Sequence, residues 1–220
     1  MTDKSASLHR PGAEDFFDRA RSRLTFDVPP SLTDPLAQGA RGDLDLNPSM
    51  WDLAGVKATK PAAVLIPIVQ RSRPTVMLTI RTQELASHAG QVAFPGGKID
   101  PEDESPVAAA LREAEEEIGL VPALVEPIGY LDLYLTFSGF RILPTVARVA
   151  PDFRLSLNPR EVTEAFEVPL EFLMNPANHQ RGSRDWKGIM RDYYAMPFED
   201  RYIWGITAGI LRNLYERIYG

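Results

Sequence analysis

The segment from Ser105 to Gly119 is the strongest constraint on the fold, because both ends of a helix can be read from it. Serine is preferred at the N-cap of a helix, proline is common in the first turn, and glycine is common just past the C-terminal end. The apolar positions between these ends are spaced by four, three and four residues: Val107, Leu111, Ala114 and Ile118. At about 100° per residue, this spacing predicts an amphipathic helix with one narrow apolar stripe.

Short apolar runs rich in β-branched residues lie before and after this helix, and such runs are typical of strands. The predicted strands are 62–69, 75–81, 92–94, 128–135 and 141–149, the first two paired through a turn. A polar loop is expected over 175–192, and a 3.6-residue apolar period from Ile203 to Ile218 indicates a closing helix. Strands interleaved with helices predict an α/β sandwich with a mixed β-sheet.

The chain is interpreted as one domain with an extension, since its 220 residues compare with about 150 residues per domain. Residues 1–60 form the predicted N-terminal extension, which begins with a short helix and continues as loop. The helix is predicted from apolar residues at helical spacing: Phe16, Phe17, Ala20 and Leu24. The stretch 27–60 is rich in proline, glycine, aspartate and asparagine, which is typical of loop. The main domain is assigned to residues 61–220, and the role of residues 1–60 stays open.

The composition excludes several classes of protein. The chain has no cysteine, which removes disulfides, thiolate metal sites and cysteine nucleophiles. With 24 basic and 30 acidic residues the net charge is −6, so no bulk nucleic-acid partner is predicted. The longest apolar run, 62–69, is far shorter than the roughly 20 residues that span a membrane, and the first residues lack the apolar core of a signal peptide. We therefore expect a cytoplasmic protein without nucleic-acid or membrane partners.

The predicted helix carries an acidic cluster on the side away from its apolar stripe. Glu113, Glu116 and Glu117 lie there, and the like charges at Glu113 and Glu117 cost the helix about 0.2–0.5 kcal/mol. The loop 94–97 precedes the cluster, and its two glycines can expose backbone carbonyls. Carboxylates with a carbonyl are the ligands that Mg²⁺ or Mn²⁺ prefers, whereas a zinc site is disfavoured by the lack of cysteine. A solvated acidic face is the alternative interpretation.

Two stretches around this helix resemble the Nudix box, whose pattern is G-x5-E-x7-R-E-U-x-E-E-x-G-U with U aliphatic. The second half, residues 112–120, fits this pattern with Ala114 as the small aliphatic position. In the first half Asp103 stands at the glutamate position, with eight residues rather than seven before Arg112. Alternatively, Glu104 keeps the gap of seven and the extra residue precedes it.

The residues before the box resemble one branch of this superfamily, the coenzyme A pyrophosphatases. That branch carries L-L-T-x-R-S-x3-R-x3-G-x-V-x-F-P-G-G, which residues 77–97 follow with Met77 in place of the first leucine, Thr82 in place of serine and Ala86 in place of the second arginine. The segment 202–208 is also similar to the branch. The resemblance implies hydrolysis of the pyrophosphate of coenzyme A or its thioesters, yielding adenosine 3′,5′-bisphosphate and phosphopantetheine or its acyl form.

The superfamily resemblance also implies a fold and a metal site. The fold would be the Nudix α/β/α sandwich, and the cofactor would be Mg²⁺ or Mn²⁺. The implied metal ligands are the carbonyl of Gly96 and the carboxylates of Glu113, Glu116 and Glu117. Arg112 is expected to pair with a neighbouring carboxylate and orient it. Asp103 or Glu104 is expected to hold the loop or a water.

A further glutamate and an arginine complete the expected site. By analogy with the family, a glutamate of the loop 158–164 activates the water, with Glu161 preferred over Glu164. Arg81, at a predicted strand end, is expected to bind a phosphate of the substrate, because its planar fork of donors matches phosphate geometry. An exposed strand-end arginine is the alternative.

The expected partner is a small nucleoside diphosphate derivative similar to coenzyme A, and a homodimer is left open. Two rival functions remain at this stage. One is a Nudix pyrophosphatase acting on ADP-ribose, a dinucleotide or a nucleoside triphosphate. The other is a catalytically inactive Nudix fold that binds a ligand.

Overall fold

The computed structural model describes residues 13–34, 36–37, 40–50, 60–84, 88–186 and 188–220. Its helices are α1 (Ala13–Arg23), α2 (Pro106–Ile118), α3 (Leu170–Leu173) and α4 (Gly205–Tyr219). The strands of a large mixed sheet are β1 (Arg41–Gly42), β2 (Lys60–Val69), β3 (Thr75–Arg81), β4 (Val92–Ala93), β5 (Gly96–Lys98), β6 (Val125–Tyr130), β7 (Tyr134–Leu135), β8 (Phe140–Val149) and β9 (Val162–Pro169). A second, antiparallel sheet contains β10 (Gln180–Trp186), β11 (Ile189–Phe198) and β12 (Arg201–Trp204).

The centre of the large sheet is the parallel pair β2 and β8, joined in register from Lys60 opposite Phe140 to Val69 opposite Val149. Strand β3 returns antiparallel to β2, and β9 pairs along the other edge of β3. Strand β5 also pairs with β2, near the start of β2. Because β2 and β3 run in opposite directions, the end of β3 and the whole of β5 lie at the same end of the sheet.

Helices cover both faces of this sheet. The side chains of β2 alternate between the faces, as the two-residue period of a strand requires. Ala63 and Leu65 pack in one core cluster with residues of α2, whereas Ala62 and Ile66 pack in another with residues of α1 and α4. The predicted α/β sandwich with a mixed sheet is therefore confirmed.

The N-terminal segment is packed against the main body wherever the structure describes it. Phe16 and Phe17 of α1 are fully buried in the cluster that α4 also joins. Farther along, the side chain of Asn47 accepts a hydrogen bond from the backbone N–H of Asp192 (2.9 Å) and donates one to its carbonyl (2.9 Å). Asn47 thereby attaches this segment to β11. The boundary between residues 60 and 61 stays a prediction.

Three predictions of local structure were wrong. The expected polar loop 175–192 contains β10 and the start of β11, whose polar side chains show no apolar alternation that would identify a strand. Ile203 belongs to β12, and the helix begins only at Gly205, which has a left-handed φ of 62°. The expected strand 128–135 is split between β6 and β7.

The stretch 27–60 is also more regular than expected where it is described. It contains three single-turn 3-10 helices at Pro30–Leu32, Asp43–Asp45 and Pro48–Met50, besides the short strand β1. Among the residues that the structure describes, no helix has the length and apolar character needed to cross a membrane.

Candidate active site

Helix α2 forms with the ends that its sequence predicts. The hydroxyl of Ser105 accepts a hydrogen bond from the N–H of Ala108 (3.1 Å), and Pro106 occupies the first turn. Gly119 ends the helix in the left-handed conformation, with φ of 70°. Because α2 packs beside β5 and β2, its acidic side faces the end of the sheet where β3 and β5 meet.

Three carboxylates meet at this end of the sheet. Glu113, Glu117 and Glu161 each place one carboxylate oxygen within 4.8 Å of the others. Two of them come from neighbouring turns of α2, and the third comes from the residue just before β9. The pairing of β9 with β3 positions the third, since the N–H of Thr82 donates to the backbone carbonyl of Glu161 (2.9 Å).

Glu117 is the most deeply buried member of this carboxylate cluster, with 2% of its surface exposed. Burial raises the pKa of its carboxyl to about 7, although two donors act in the opposite direction. The N–H of Gly96 donates to Oε2 of Glu117 (3.2 Å), and Nη1 of Arg81 lies 3.7 Å from Oε1. Arg81 therefore lies at the cluster in this structure, as an ion-pair partner of a carboxylate.

The same environment affects Glu113. Burial is the main cause that raises the pKa of its carboxyl, while the neighbouring Arg112 guanidinium lowers it and the charges of Glu116 and Glu161 raise it further. Several carboxylates that repel one another in a partly buried site favour binding of a cation. The carboxylate oxygens present here are suitable ligands for a divalent cation such as Mg²⁺ or Mn²⁺.

Arg112 holds the outer side of the carboxylate cluster through a fork of donors. Its Nε and Nη2 donate to the two oxygens of Asp103 (3.0 and 2.9 Å), and its Nη1 donates to Glu113 (3.1 Å) and Glu116 (3.2 Å). The Arg112 guanidinium lowers the pKa of the Asp103 carboxyl, whose side chain is only 7% exposed. Glu104 is exposed, so Asp103 is the partner of Arg112 in this structure.

Gly96 and Gly97, at the start of the box, allow the carboxylates to approach the backbone. Gly96 has a positive φ of 151°, and a Cβ there would overlap the carbonyl oxygen of Ala63 on β2. A Cβ on Gly97 would instead overlap the carboxylate of Glu113. The structure shows the N–H of Gly96 in contact with Glu117, and the proposed role of its carbonyl stays a prediction.

The remaining predicted residues lie in different surroundings. Glu116 is outside the group of three, with a side chain that is 55% exposed and hydrogen-bonded to Arg112. Glu164 forms an ion pair with Arg201, whereas Glu161 accepts a hydrogen bond from Asn158 Nδ2 (3.0 Å) beside the cluster. Ala86, which replaces the second arginine of the branch pattern, lies outside the described residues.

Sequence reasoning missed two features of this site. It assigned the glycine loop a role through a carbonyl, whereas the absent side chain of Gly97 provides the space for Glu113. It placed Glu117 on the side away from the apolar stripe without indicating burial. The pair Gly96-Gly97 was the available signal, because glycine permits a close approach of other groups to the backbone.

Comparison with known proteins identifies the family. A family model for the NUDIX domain matches residues 59–187. Two relatives, from Yersinia pestis (strain Pestoides F) and Yersinia pseudotuberculosis serotype O:1b (strain IP 31758), are each named "Uncharacterized Nudix hydrolase NudL". Each is 41% identical over 157 residues, which cover 71% of this chain and 79% of the relative. The chain belongs to the Nudix hydrolase family, and it is a pyrophosphohydrolase.

Solved structures show a weaker similarity to this chain. The binary complex of a C. elegans Ap4A hydrolase has a TM-score of 0.44 and 19% identity, over 50% of this chain and 80% of that one. The Nudix domain of Shewanella oneidensis NrtR in complex with ADP ribose has a TM-score of 0.38 and 18% identity, over 56% and 83%. The family assignment rests on the sequence matches.

Replacing Gly97 by alanine will displace the Glu113 carboxylate and leave the fold intact. The backbone of Gly97 lies outside the left-handed region, so alanine is allowed there, and the overlapping group is the flexible end of a side chain. We expect Mn²⁺ binding to weaken by at least about 10-fold, measured by calorimetry. The free energy of unfolding is expected to change by less than about 1 kcal/mol. Lys98→Ala, at the exposed next residue, is the matched control, and unchanged Mn²⁺ binding in Gly97→Ala would contradict the assignment.

Replacing each carboxylate by its amide tests whether Asp103 or Glu104 is the partner of Arg112. Asp103→Asn removes the charge that Arg112 binds in two places, and we expect a loss of about 1–3 kcal/mol in the free energy of unfolding at pH 7. Glu104→Gln changes an exposed carboxylate and should cost less than about 0.5 kcal/mol.

The difference in the free energy of unfolding between wild type and Asp103→Asn should depend on pH in a defined direction. Because the folded pKa of Asp103 is lowered, its stabilising effect is complete above the unfolded value of about 3.9 and is lost as the pH falls through the folded value. Urea unfolding from pH 7 to pH 3 should therefore show wild type and Asp103→Asn converging at low pH. A difference that grows as the pH falls would show that another interaction is responsible.

Proposed function

We propose that this Nudix hydrolase cleaves the diphosphate of coenzyme A or its thioesters. The products are adenosine 3′,5′-bisphosphate and phosphopantetheine or its acyl form. The observation that carries this proposal is where the branch-like segment 77–97 lies. It supplies Arg81 and Gly96, which contact the buried carboxylate of Glu117, and Gly97, which makes space for Glu113. Three described residues of the stretch that resembles coenzyme A pyrophosphatases thus lie against the candidate catalytic carboxylates.

The proposed metal ligands are the carboxylates of Glu113, Glu116 and Glu117 and the carbonyl of Gly96. When bound, Mg²⁺ or Mn²⁺ supplies positive charge that offsets the charge of the diphosphate. Burial of Glu117 and the closeness of Glu113 favour such a cation, because both carboxylates are costly to keep ionised without one. Exposed Glu116 is held on the outer side of the cluster by Arg112.

Glu161 is the proposed general base. It lies within 4.8 Å of Glu113 and Glu117, and Asn158 orients its carboxylate. In this role Glu161 takes a proton from the attacking water, which is held in line with the phosphorus. Glu164 is less suited to this role, since its carboxylate forms an ion pair with Arg201.

Two arginines have distinct proposed roles. Arg81 binds a phosphate of the substrate, because its guanidinium already lies at the carboxylate cluster and matches phosphate geometry. Arg112 positions Glu113 and Glu116, and Asp103 in turn holds the guanidinium of Arg112.

The cytoplasmic location stays a prediction, and a homodimer is left open.

Turnover of coenzyme A tests the substrate and the metal site together. The purified chain is assayed with coenzyme A, ADP-ribose and NADH at equal concentration, in Mg²⁺ and then Mn²⁺, and the products are separated by chromatography. We expect release of adenosine 3′,5′-bisphosphate from coenzyme A at the highest rate. Glu116→Gln and Glu117→Gln should each lower kcat at least about 100-fold, whereas Glu115→Gln, at an exposed position between them and Glu113, should retain activity.

Each part of this proposal has an outcome that contradicts it. Faster hydrolysis of ADP-ribose or NADH than of coenzyme A would refute the substrate assignment and keep the reaction class. Full activity of Glu116→Gln would remove that residue from the metal ligands. Metal binding without hydrolysis of any of the three compounds would favour an inactive, ligand-binding protein.

The assignment of Glu161 as the general base is tested by replacing Glu161 and the nearby Glu164, one at a time, by glutamine. Glu161→Gln keeps the side-chain shape and removes the proton acceptor, so we expect kcat to fall by about 10²–10⁴ with little change in KM. Glu164→Gln is the matched control and should keep kcat within about 3-fold. Reversed effects would assign the base to Glu164 instead.

A further inference from the structure

A cavity of about 490 Å³ has Gln91 in its lining. The backbone carbonyl of Gln91 accepts a hydrogen bond from the N–H of Arg81 (3.0 Å), so the cavity borders the strand end that carries Arg81, the ion-pair partner of Glu117. Its walls come from the β10–β11 hairpin, the turn 136–138 and the start of α4, with Asp43 of the N-terminal segment. The volume is in the range of small-molecule sites, about 300–1,000 Å³.

Two arginines face each other across the hairpin that forms one wall. Arg184 of β10 is directly opposite Arg191 of β11 in the antiparallel register, and both line the cavity. Like charges in this arrangement destabilise a sheet, since their side chains leave the same face close together. An anion bound between them would remove that repulsion and accept hydrogen bonds from both planar guanidiniums.

Three carboxylates belong to the same lining, and each is held in place by hydrogen bonds. Asp43 accepts hydrogen bonds from the hydroxyl of Tyr134 (2.8 Å) and the N–H of Phe137 (3.1 Å), and its charge acts on Arg191. Asp185 accepts from the N–H of Gly188 (3.2 Å), and Asp192 accepts from the hydroxyl of Ser183. Arg184 is exposed, so its guanidinium is accessible to a ligand in the cavity.

Aromatic rings line the cavity beside the two arginines. Tyr193 and Trp204 contact each other edge to face, with ring centroids 5.2 Å apart, and Arg184 Cζ lies 5.9 Å from the Trp204 ring centroid. Arg191 Cζ lies 3.7 Å from the ring centroid of Phe137. A planar base can stack on such rings while a phosphate binds the guanidiniums.

We propose that this cavity binds the adenosine half of the substrate and that Arg184 and Arg191 recognise the phosphate on its ribose 3′-oxygen. This inference rests on the proposed action on coenzyme A. It makes Arg184 and Arg191 the residues that determine the specificity for coenzyme A. ADP-ribose and NADH carry no phosphate at that position. The arginine pair therefore selects coenzyme A from other adenosine diphosphates that the carboxylate cluster could hydrolyse.

Binding of two product-like nucleotides tests this assignment without turnover. The full chain, in Mg²⁺, is titrated in a calorimeter with adenosine 3′,5′-bisphosphate and with adenosine 5′-monophosphate. We expect the bisphosphate to bind at least about 10-fold more tightly. In Arg184→Gln this preference should fall below about 2-fold, with the affinity for the monophosphate unchanged.

Arg181→Gln is the matched control, with the same loss of charge on the same strand. Residue 181 is three positions from residue 184, so its side chain leaves the opposite face of the hairpin, where Arg181 Cζ lies 5.7 Å from the Tyr194 ring centroid. The preference for the bisphosphate should remain in this variant. A thermal unfolding scan of each variant confirms that both are folded.

The outcomes separate this inference from the proposed function. Equal weakening of both nucleotides in Arg184→Gln, or no weakening, overturns the assignment of the 3′-phosphate, as does a wild type that binds both equally. Hydrolysis of coenzyme A by a wild type without this preference refutes the cavity assignment alone. A preserved preference without hydrolysis of coenzyme A refutes the proposed function alone.

Discussion

The burial of one carboxylate, that of Glu117, is the constraint on which the candidate site depends. Taking a carboxylate out of water is costly unless donors or a cation compensate it, and two elements provide donors: the N–H of Gly96 on β5 and the guanidinium of Arg81 on β3. Both donors are available where the end of β3 lies near the start of β5, and α2 packs there. The antiparallel turn between β2 and β3, and the pairing of β5 with β2, produce that place. The sheet topology thus provides the donors that the buried carboxylate needs.

Local sequence signals predicted the elements that carry this arrangement. Ser105, Pro106 and Gly119 determine the ends of α2 through caps that act within a few residues, and the structure shows those caps. The strands with continuous apolar runs were also predictable, because burial on both faces leaves a clear composition. The site residues Glu113, Glu117 and Glu161 were predicted from a pattern and a resemblance, and the structure brings their carboxylates together. Their roles in catalysis stay predictions.

Features that depend on long-range pairing could not be predicted. The β10–β11 hairpin has polar side chains on both faces, so no periodicity distinguishes it from loop, and only its cross-strand partners define it. The choice between Asp103 and Glu104 depended on which carboxylate reaches Arg112 after the loop folds back on α2. Ile203 fits the helical period of α4, but it pairs in β12 because the chain turns at Gly205. In each case tertiary contacts outweighed a local pattern.

The attachment of the N-terminal segment by Asn47 has a consequence for how such a protein can change during evolution. The segment contributes Asp43 to the cavity wall, and the side chain of Asn47 joins the segment to the backbone of Asp192 on β11. None of these contacts involves α2. A substitution in this segment can therefore alter the cavity wall without changing α2 or its carboxylates. With a peripheral segment of this kind, the selectivity of an enzyme can change during evolution while the reaction that it catalyses stays the same.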